Sequence, residues 1–293
     1  MTLLLEQSIV IVCGSSGSMN QILAELDGCD LDGVVVCVEG AAKKLWQHSR
    51  GDVSILACDL PKAISDAQTL ITGTGWGDLE HIARKVGLQQ GVYSIALLDH
   101  WTSYLERFVR DGELILPDEI WVVDEYACAM ARSIFPNCTV TLRPDYYALQ
   151  QMRGIAPLPD WPEGDLLYLL EPMGSNWERD DLGENQALMF FFEQLPKLCL
   201  PASTVIRLRP HPSESPGKYE KFLSKKWSHQ VRLDTQGLAS SLSDARWVVG
   251  CQTYAMTLAL SAGRTVYCSL PPWAPACQLP HNGILFIKDF SAF

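Results

Sequence analysis

The residues best suited to chemistry lie in one short segment, where a histidine follows two arginines at the end of an apolar run. Residues 205–209 read Val-Ile-Arg-Leu-Arg, a strand pattern that the Pro-His-Pro sequence at 210–212 interrupts. Strand alternation places Arg207 and Arg209 on one face. The prolines stiffen the loop around His211, whose imidazole can stabilise negative charge that grows on a departing phosphate. The alternative is a histidine that only caps a turn.

A second candidate phosphate contact follows a later strand pattern. Residues 247–250 read Trp-Val-Val-Gly, and Gln252 and Thr253 come where this strand turns into an apolar helical run. Backbone N–H groups and the dipole at a helix start favour anions, and a threonine hydroxyl adds a donor. The same hydroxyl can instead act as an N-cap, which needs no ligand. Because ligands bind at the carboxyl edge of open parallel sheets, the two segments together predict half of a nucleotide-sugar site.

A candidate proton acceptor ends a long strand pattern in the first half of the chain. Asp99 follows the apolar run at 94–98 and precedes His100 and Trp101. A carboxylate in this position can accept the proton of an attacking hydroxyl, with His100 as the weaker alternative. The competing interpretation is that Asp99 caps a helix that begins near Thr102.

Three loops after strands complete the set of candidate contacts. The glycine-rich loops at 14–18 and 72–77 spell neither the dinucleotide-binding pattern nor the P-loop pattern, so tight turns are the simpler interpretation. Their position still suits contact with an acceptor, whereas the loop at 171–176 suits the phosphate or sugar of a donor. Glu80, early in the helix after the second loop, could be an acid in the cleft, but an exposed first-turn glutamate is the commoner interpretation. The predicted loop contacts are Ser15, Ser16, Thr74 and Trp76 for the acceptor, and Gly174 and Ser175 for the donor.

Strand and helix patterns alternate through both halves, which predicts an α/β fold with mostly parallel sheets covered on both faces. In the first half, strand patterns cover 8–12, 33–38, 53–57, 70–72, 93–98, 120–123 and 140–142, and helical patterns cover 18–26, 41–48, 79–86 and 125–134. In the second half, strand patterns cover 166–170, 204–208, 231–233, 247–249 and 265–268, and helical patterns cover 185–195, 219–225, 238–242 and 254–262.

A segment at 154–164 with three prolines interrupts this alternation and is predicted to link two domains. The expected architecture is two Rossmann-like domains that face a cleft. Residues 1–155 would form the acceptor-side domain, and residues 165–293 would form the nucleotide-sugar-binding domain.

Composition and charge exclude several classes of protein. The 293 residues are 47% hydrophobic and 19% charged, an ordinary globular balance, and the net charge of −11 argues against a nucleic-acid partner. No run suits a membrane span, and the first residues lack the features of a signal peptide, so we expect a cytoplasmic protein. The ten cysteines are scattered singly, which favours reduced thiols over disulfides. His and Cys do not cluster at ligand spacing, and neither metal nor cofactor is predicted.

These residues resemble three short motifs of bacterial sialyltransferases and related CMP-sugar transferases, which have two Rossmann-like domains of the GT-B type. Asp99-His100-Trp101 falls where the family has an acidic motif, and His211-Pro212 matches its His-Pro motif. Gln252-Thr253 falls where the family has a Ser/Thr pair. The chain departs from the family in the second acid and the glycine of the first motif, and in one hydroxyl of the pair.

The resemblance implies an inverting, metal-independent transfer of a sugar, a nonulosonic acid or a Kdo-like one, from CMP to a glycan or lipid-linked acceptor. Asp99 would deprotonate the acceptor hydroxyl, His211 would assist the leaving group, and Thr253 would bind its phosphate. A lipid-linked acceptor would bring the protein to a membrane surface as a peripheral protein. Two alternatives stay open: a UDP-sugar transferase or epimerase of the same fold, and an inactive scaffold in polysaccharide assembly. The predicted nucleotide site comprises Arg209, Pro212, Gln252, Thr253, Gly174 and Ser175.

Overall fold

The computed structural model describes residues 8–51, 59–158, 163–211 and 214–290. The chain divides into two compact units, unit 1 at residues 1–149 and unit 2 at residues 150–293. The strand predicted at 53–57 and the predicted contact Pro212 both lie outside the described residues.

Unit 1 contains one parallel sheet of six described strands in the order β2-β1-β3-β4-β7-β8. Its strands are β1 (Ile9–Cys13), β2 (Val34–Val38), β3 (Thr69–Thr72), β4 (Tyr93–Leu98), β7 (Glu119–Val122) and β8 (Thr139–Leu142), and β5 (Val109–Arg110) pairs with β6 (Glu113–Leu114) in a separate hairpin. The helices are α1 (Ser16–Glu25), α2 (Gly40–Arg50), α3 (Leu60–Ser65), α4 (Leu79–Gln90), α5 (Glu125–Ile134) and α6 (Tyr146–Arg153), the last of which continues across the division between the units.

Unit 2 repeats this plan with a parallel sheet in the order β11-β10-β9-β12-β13-β14. Its strands are β9 (Asp165–Leu169), β10 (Ile206–Arg209), β11 (Val231–Leu233), β12 (Ala245–Gly250), β13 (Thr265–Cys268) and β14 (Ile284–Phe286). Its helices are α7 (Gly183–Gln194), α8 (Glu220–Leu223), α9 (Leu238–Asp244) and α10 (Tyr254–Ser261).

Apolar packing on both faces of each sheet explains the β-branched runs of the sequence. In unit 1, Ile9 and Ile11 pack towards Trp46 on one face, whereas Val10 and Val12 belong to a separate cluster on the other. A strand buried on both faces needs apolar side chains at every position. In unit 2, an aromatic-rich core covers one face, and Phe192 of α7 stacks on Trp227 with 3.9 Å between ring centroids.

The predicted fold class, an α/β protein with two Rossmann-like domains, is confirmed by the two parallel sheets. The sequence patterns missed β14, α3 and α6, which contain only 3, 6 and 8 residues and are too short for a clear period. A helix expected near Thr102 is a turn followed by a 3-10 helix at Glu106–Phe108. None of the described helices has the length and apolar character needed to cross a bilayer.

Candidate functional site

Unit 1 has its switch point between β1 and β3, because β1 comes first in the chain and later strands add on either side of it. Open α/β sheets bind ligands at the carboxyl edge near such a point. The glycine-rich loops follow β1 and β3 at this edge, and Asp99 follows β4, the neighbour of β3. The strand order therefore brings the predicted base and both predicted acceptor loops to one edge of the sheet.

One oxygen of the Asp99 carboxylate accepts a hydrogen bond, whereas the other accepts none from the described residues. Its side chain is 3% exposed, and Oδ1 accepts a hydrogen bond of 3.0 Å from Ser18 Oγ in the first turn of α1. Oδ2 is buried and has no hydrogen-bond partner among the described residues, although His100 Nε2 lies 3.4 Å away. Asp99 therefore does not cap a helix, and one of its oxygens is left to accept a proton.

His100 adjoins this carboxylate and is the more exposed of the pair. Its side chain is 40% exposed, against 3% for Asp99. Burial of the ring nitrogens lowers the pKa of His100, while the nearby Asp99 charge acts in the opposite direction. The imidazole is therefore neutral near pH 7 and can exchange a proton with Asp99 and solvent.

Gly17 is required by the position of Asp99, and its replacement is a direct test of this geometry. A Cβ atom at residue 17 would lie 2.0 Å from Asp99 Oδ2, far inside van der Waals contact. Gly17→Ala should therefore displace the carboxylate, break its bond to Ser18 and destabilise the protein by about 1–3 kcal/mol. Thermal unfolding beside Asn20→Ala, a half-buried residue of the same helix, measures the effect. Equal melting temperatures for the two variants would contradict the described contact.

Glu80 is buried, contrary to the sequence prediction of an exposed residue. It is 1% exposed in the first turn of α4, and its Oε1 accepts a 2.8 Å hydrogen bond from the Gly14 N–H. Gly75 lies against the same oxygen, where an added Cβ would be 2.9 Å away. Oε2 finds no partner within the described ranges. The glycines after β1 and β3 therefore leave room for a buried acid. In the sequence, only the spacing of these glycines indicates it.

The predicted acceptor contacts of unit 1 differ in how far their side chains are exposed to solvent. Thr74 is buried and its hydroxyl donates to the Leu97 carbonyl at 3.0 Å, so this side chain is unavailable to an acceptor. Ser15 caps α1 by accepting from the Ser18 N–H, whereas Ser16 is exposed on the first turn. Trp76 is 61% exposed, with the Arg107 guanidinium 4.9 Å from its ring centroid. An exposed aromatic face of this kind suits a sugar ring.

Unit 2 has its switch point between β9 and β12. Glu171 follows β9, Gln252 follows β12, and His211 follows β10 on the other side of β9. The predicted nucleotide contacts of three separate segments therefore reach one edge of one sheet, at the place where ligands bind in such folds.

A chain of charged contacts positions the His211 loop. The His211 N–H donates to Glu214 Oε2 at 3.0 Å, and Glu214 Oε1 accepts from Lys218 Nζ at 2.7 Å and from the Tyr219 hydroxyl. Lys218 also donates to Glu184 of α7, which accepts the Met173 N–H with its other oxygen. This network, which sequence analysis missed, ties the loop after β10 to the loop after β9.

The His211 ring is half-buried beside a cavity of about 460 Å³ that Arg209, Lys218 and Gln236 also line. Burial lowers the pKa of His211, and the Glu214 carboxylate partly opposes this shift. The imidazole is therefore neutral near pH 7. A neutral imidazole still has one N–H to donate to a phosphate oxygen.

The two arginines of β10 lie on the same face of the strand, as expected, but they differ in exposure and in their partners. Arg207 is 1% exposed, and its guanidinium pairs with Asp165 at 3.0 Å and Asp234 at 3.1 Å, so it stabilises the sheet and is inaccessible to a ligand. Arg209 is part-exposed, but its Nη1 donates to Asp234 Oδ2 at 2.7 Å and to Ser241 Oγ at 3.2 Å. Asp234 therefore neutralises part of the positive charge of Arg209, the residue that was predicted to bind a phosphate.

Glu171 is a further buried acid at the switch point of unit 2. Its Oε1 accepts the Gln252 N–H at 3.2 Å, and its Oε2 is buried without a partner in the described part of the chain. Burial raises the pKa of Glu171 to about 8, with the Gln252 N–H acting against the shift and Cys277 and Glu214 adding to it. The carboxyl is therefore neutral near pH 7 and compatible with a neighbouring anion. The sequence pattern predicts a donor contact in the loop at 171–176 but does not distinguish Glu171 within it.

Thr253 stands at the start of α10 in extended conformation, yet its hydroxyl makes no capping hydrogen bond there. The cap interpretation is therefore wrong for this side chain. The other predicted contacts in this unit are more exposed. Gly174 is exposed with φ +65°, which favours glycine, and Ser175 Oγ accepts the Trp177 N–H at 3.1 Å.

If Thr253 binds phosphate, Thr253→Ala should raise the dissociation constant of the nucleotide about tenfold, the loss of roughly one hydrogen bond. The melting temperature without nucleotide should stay unchanged, because no capping bond is lost. Thr257→Ala in the same helix is the matched control, since the Thr257 hydroxyl donates to the Tyr254 carbonyl at 2.8 Å. That control should alter stability and leave binding intact. If Thr253→Ala instead lowered stability and left nucleotide binding unchanged, Thr253 would not belong to the site.

Neither edge brings a metal-binding cluster together among the residues that the structure describes. The described residues contain no group of three or more His, Cys, Asp or Glu side chains arranged to hold an ion. The candidate chemistry described above depends on carboxyl, imidazole and hydroxyl groups.

No protein-family pattern and no curated protein matches this chain. Several solved structures do match it in fold. MnaA of S. aureus, solved with UDP, is 7% identical with a TM-score of 0.59, and the alignment covers 89% of this chain and 78% of that one. UDP-GlcNAc 2-epimerase of Neisseria meningitidis, solved with UDP-GlcNAc, is 13% identical with a TM-score of 0.52, covering 89% and 81%. HepE of Anabaena, solved with UDP and glucose, is 10% identical with a TM-score of 0.53, covering 96% and 87%.

The chain has a GT-B-like fold. Identities this low concern the fold alone. The GT-B-like fold expected from the sequence is confirmed, whereas the three neighbours named above were solved with uridine nucleotides and none of the three is a CMP-sugar sialyltransferase.

Proposed function

We propose that this protein is an enzyme that binds a UDP-sugar at the carboxyl edge of the unit 2 sheet. The observation that carries the proposal is that His211, Thr253 and the neutral acid Glu171 follow three neighbouring strands, β10, β12 and β9, at the carboxyl edge of the unit 2 sheet. The imidazole and the hydroxyl supply donors for a diphosphate, and a neutral carboxyl does not repel it. Three neighbours in fold were solved with UDP or a UDP-sugar, which favours uridine over the CMP donor suggested by sequence.

The reaction we propose is transfer of the sugar to a hydroxyl of a glycan or lipid-linked acceptor. Asp99 would act as base for that hydroxyl through its unbonded Oδ2, and His100 would pass the proton to solvent. His211 would donate to the departing diphosphate. Trp76 and Ser16 are the proposed acceptor contacts, because both are exposed in loops that follow β3 and β1 at the sheet edge where Asp99 follows β4.

Thermal unfolding with CMP, CDP, UMP, UDP and GDP tests the nucleotide site. A ligand at a hundred times its dissociation constant adds about 2.7 kcal/mol, which should raise the melting temperature by several degrees. We expect the largest rise with UDP, and we expect His211→Ala to remove most of it. His48→Ala, an exposed histidine of α2, is the control and should keep the rise. A rise confined to cytidine nucleotides would favour the CMP-sugar donor, and no rise with any nucleotide would favour the scaffold.

A UDP-sugar epimerase is the second candidate, because a 2-epimerase is among the neighbours in fold. UDP-GlcNAc separates the two reactions. An epimerase would yield an isomeric UDP-sugar with no net release of UDP, whereas a transferase would release UDP, slowly to water and faster with acceptor. We expect UDP release. Formation of the isomeric UDP-sugar without release of UDP would mean that the reaction is epimerisation and not transfer.

A further inference from the structure

Two cysteine thiols meet beside the nucleotide edge of unit 2. Cys268 ends β13, and Cys277 lies in the loop that leads to β14. Both sulfur atoms lie within hydrogen-bond reach of the Cys251 carbonyl oxygen, with Sγ–O distances of 3.1 Å for Cys268 and 3.5 Å for Cys277. When Cys277 is a thiolate, the Cys268 thiol donates its one proton to the Cys277 sulfur instead. Their sulfur atoms are therefore neighbours, although the residues belong to different segments.

The two thiols differ in exposure and acidity. Cys268 is buried, whereas Cys277 is half-buried and reaches the surface. The hydrogen bond from Cys268 lowers the pKa of Cys277 to about 7 against the effect of burial, and the Leu279 N–H, Lys288 and His281 add to the shift. The same hydrogen bond and burial raise the pKa of Cys268. Because the thiolate is the reactive form, the accessible thiol is the better nucleophile of the two.

We propose that Cys268 and Cys277 form a thiol–disulfide exchange site for small disulfides. The Cys277 thiolate attacks one sulfur of the small disulfide, forms a mixed disulfide and expels a small thiolate. Cys268 then gives up its proton and attacks the Cys277 sulfur, which forms the Cys268–Cys277 disulfide and expels the second small thiol. The two protein thiols are oxidised and the small disulfide is reduced to two thiols, so electrons and protons balance.

The exchange site is joined to the nucleotide site by one glutamine. The N–H of Gln278, next to Cys277, donates to Gln252 Oε1 at 3.3 Å, and the Gln252 N–H donates to Glu171. A bond between Cys268 and Cys277 would shift residue 278 relative to Gln252. Oxidation should therefore weaken nucleotide binding several-fold, a consequence that rests on the proposed function.

Treatment with oxidised glutathione, followed by peptide mapping with chymotrypsin, which can cleave after Trp273 between the two cysteines, tests the exchange chemistry without any nucleotide. In the unaltered protein we expect a linked pair of peptides containing Cys268 and Cys277. Cys268→Ser should stop at a glutathione adduct on Cys277, and Cys277→Ser should give no link. Cys138 is the internal control, since it is also half-buried but burial and Asp118 raise the pKa of its thiol. Cys277 should react about tenfold faster than Cys138 near pH 7.

Absence of the linked peptides in the unaltered protein would overturn the exchange site, and this result does not depend on how the variants fold. Equal reaction rates of Cys277 and Cys138 would also overturn it. UDP affinity of the oxidised and reduced proteins is then compared by calorimetry. Linked cysteines with equal UDP affinity would remove the coupling to the nucleotide and keep the exchange site. Failure of UDP to bind the reduced protein would contradict the proposed function alone.

Discussion

Replacing Asp99 with asparagine should lower the rate of sugar transfer about a thousand-fold and leave UDP binding almost unchanged. The asparagine has nearly the same shape and keeps an oxygen to accept from Ser18, whose hydroxyl lies 3.0 Å from Oδ1. It cannot take a proton at the position of Oδ2, which is the oxygen without a partner in the described chain. The variant therefore removes the proton acceptor and keeps the packing of the side chain, so that the two contributions of Asp99 can be measured separately.

The measurement is UDP release from UDP-GlcNAc with acceptor, beside UDP binding by calorimetry. Asp111→Asn, an exposed residue in the turn after β5, is the matched control and should transfer at the normal rate. Parallel loss of binding and transfer in Asp99→Asn would mean that Asp99 supports the structure rather than the reaction. A normal transfer rate would end its assignment as base.

Replacing Glu171 with glutamine should stabilise the protein, and the gain should grow with pH. The pKa of Glu171 is raised from 4.5 to about 8 in the folded chain. Between these values the unfolded chain has lost the proton that the folded chain keeps, so stability falls as pH rises and levels off above about 8. Glutamine is neutral at every pH and keeps an oxygen for the Gln252 N–H.

The expected gain in the free energy of unfolding is close to zero near pH 5 and roughly 2–4 kcal/mol near pH 8.5. Urea unfolding of both proteins across this range measures it. Glu193→Gln at the end of α7, an exposed glutamate, should show no such trend. A constant difference between Glu171→Gln and the unaltered protein would mean that the carboxyl is already ionised when folded.

The elements of the fold were predictable where several residues repeat one pattern. Strand β4 and helix α5 match their predicted ranges, because β4 is a six-residue run with five consecutive buried positions and the ten residues of α5 carry a helical period. The short strand β14 did not stand out, since Ile284–Phe286 offers three residues and no alternation. The order of strands within each sheet required the structure, because sequence periodicity does not specify which strands are neighbours.

The candidate site was only partly predictable, because burial depends on residues distant in sequence. Asp99 and His211 could be identified from strand ends, and both lie at the expected edges. Glu80 looked like an exposed first-turn acid, but the Gly14 N–H, 66 residues earlier, binds it in the interior. Arg207 and Arg209 lie on one face by alternation, and both pair with Asp234, but the burial of Arg207 and its second partner, Asp165, set it apart. Such long-range partners leave no local signature.

Asp234 has a consequence for how long a bound nucleotide would stay. Because this carboxylate holds Arg209, a phosphate that approaches the same guanidinium has to compete with it. The competition reduces the net gain from each phosphate contact and shortens the lifetime of the complex, since weaker binding is mostly faster dissociation. A nucleotide-sugar enzyme has to release its nucleotide product in every cycle. Because Asp234 already binds Arg209, this arginine would favour release of the product.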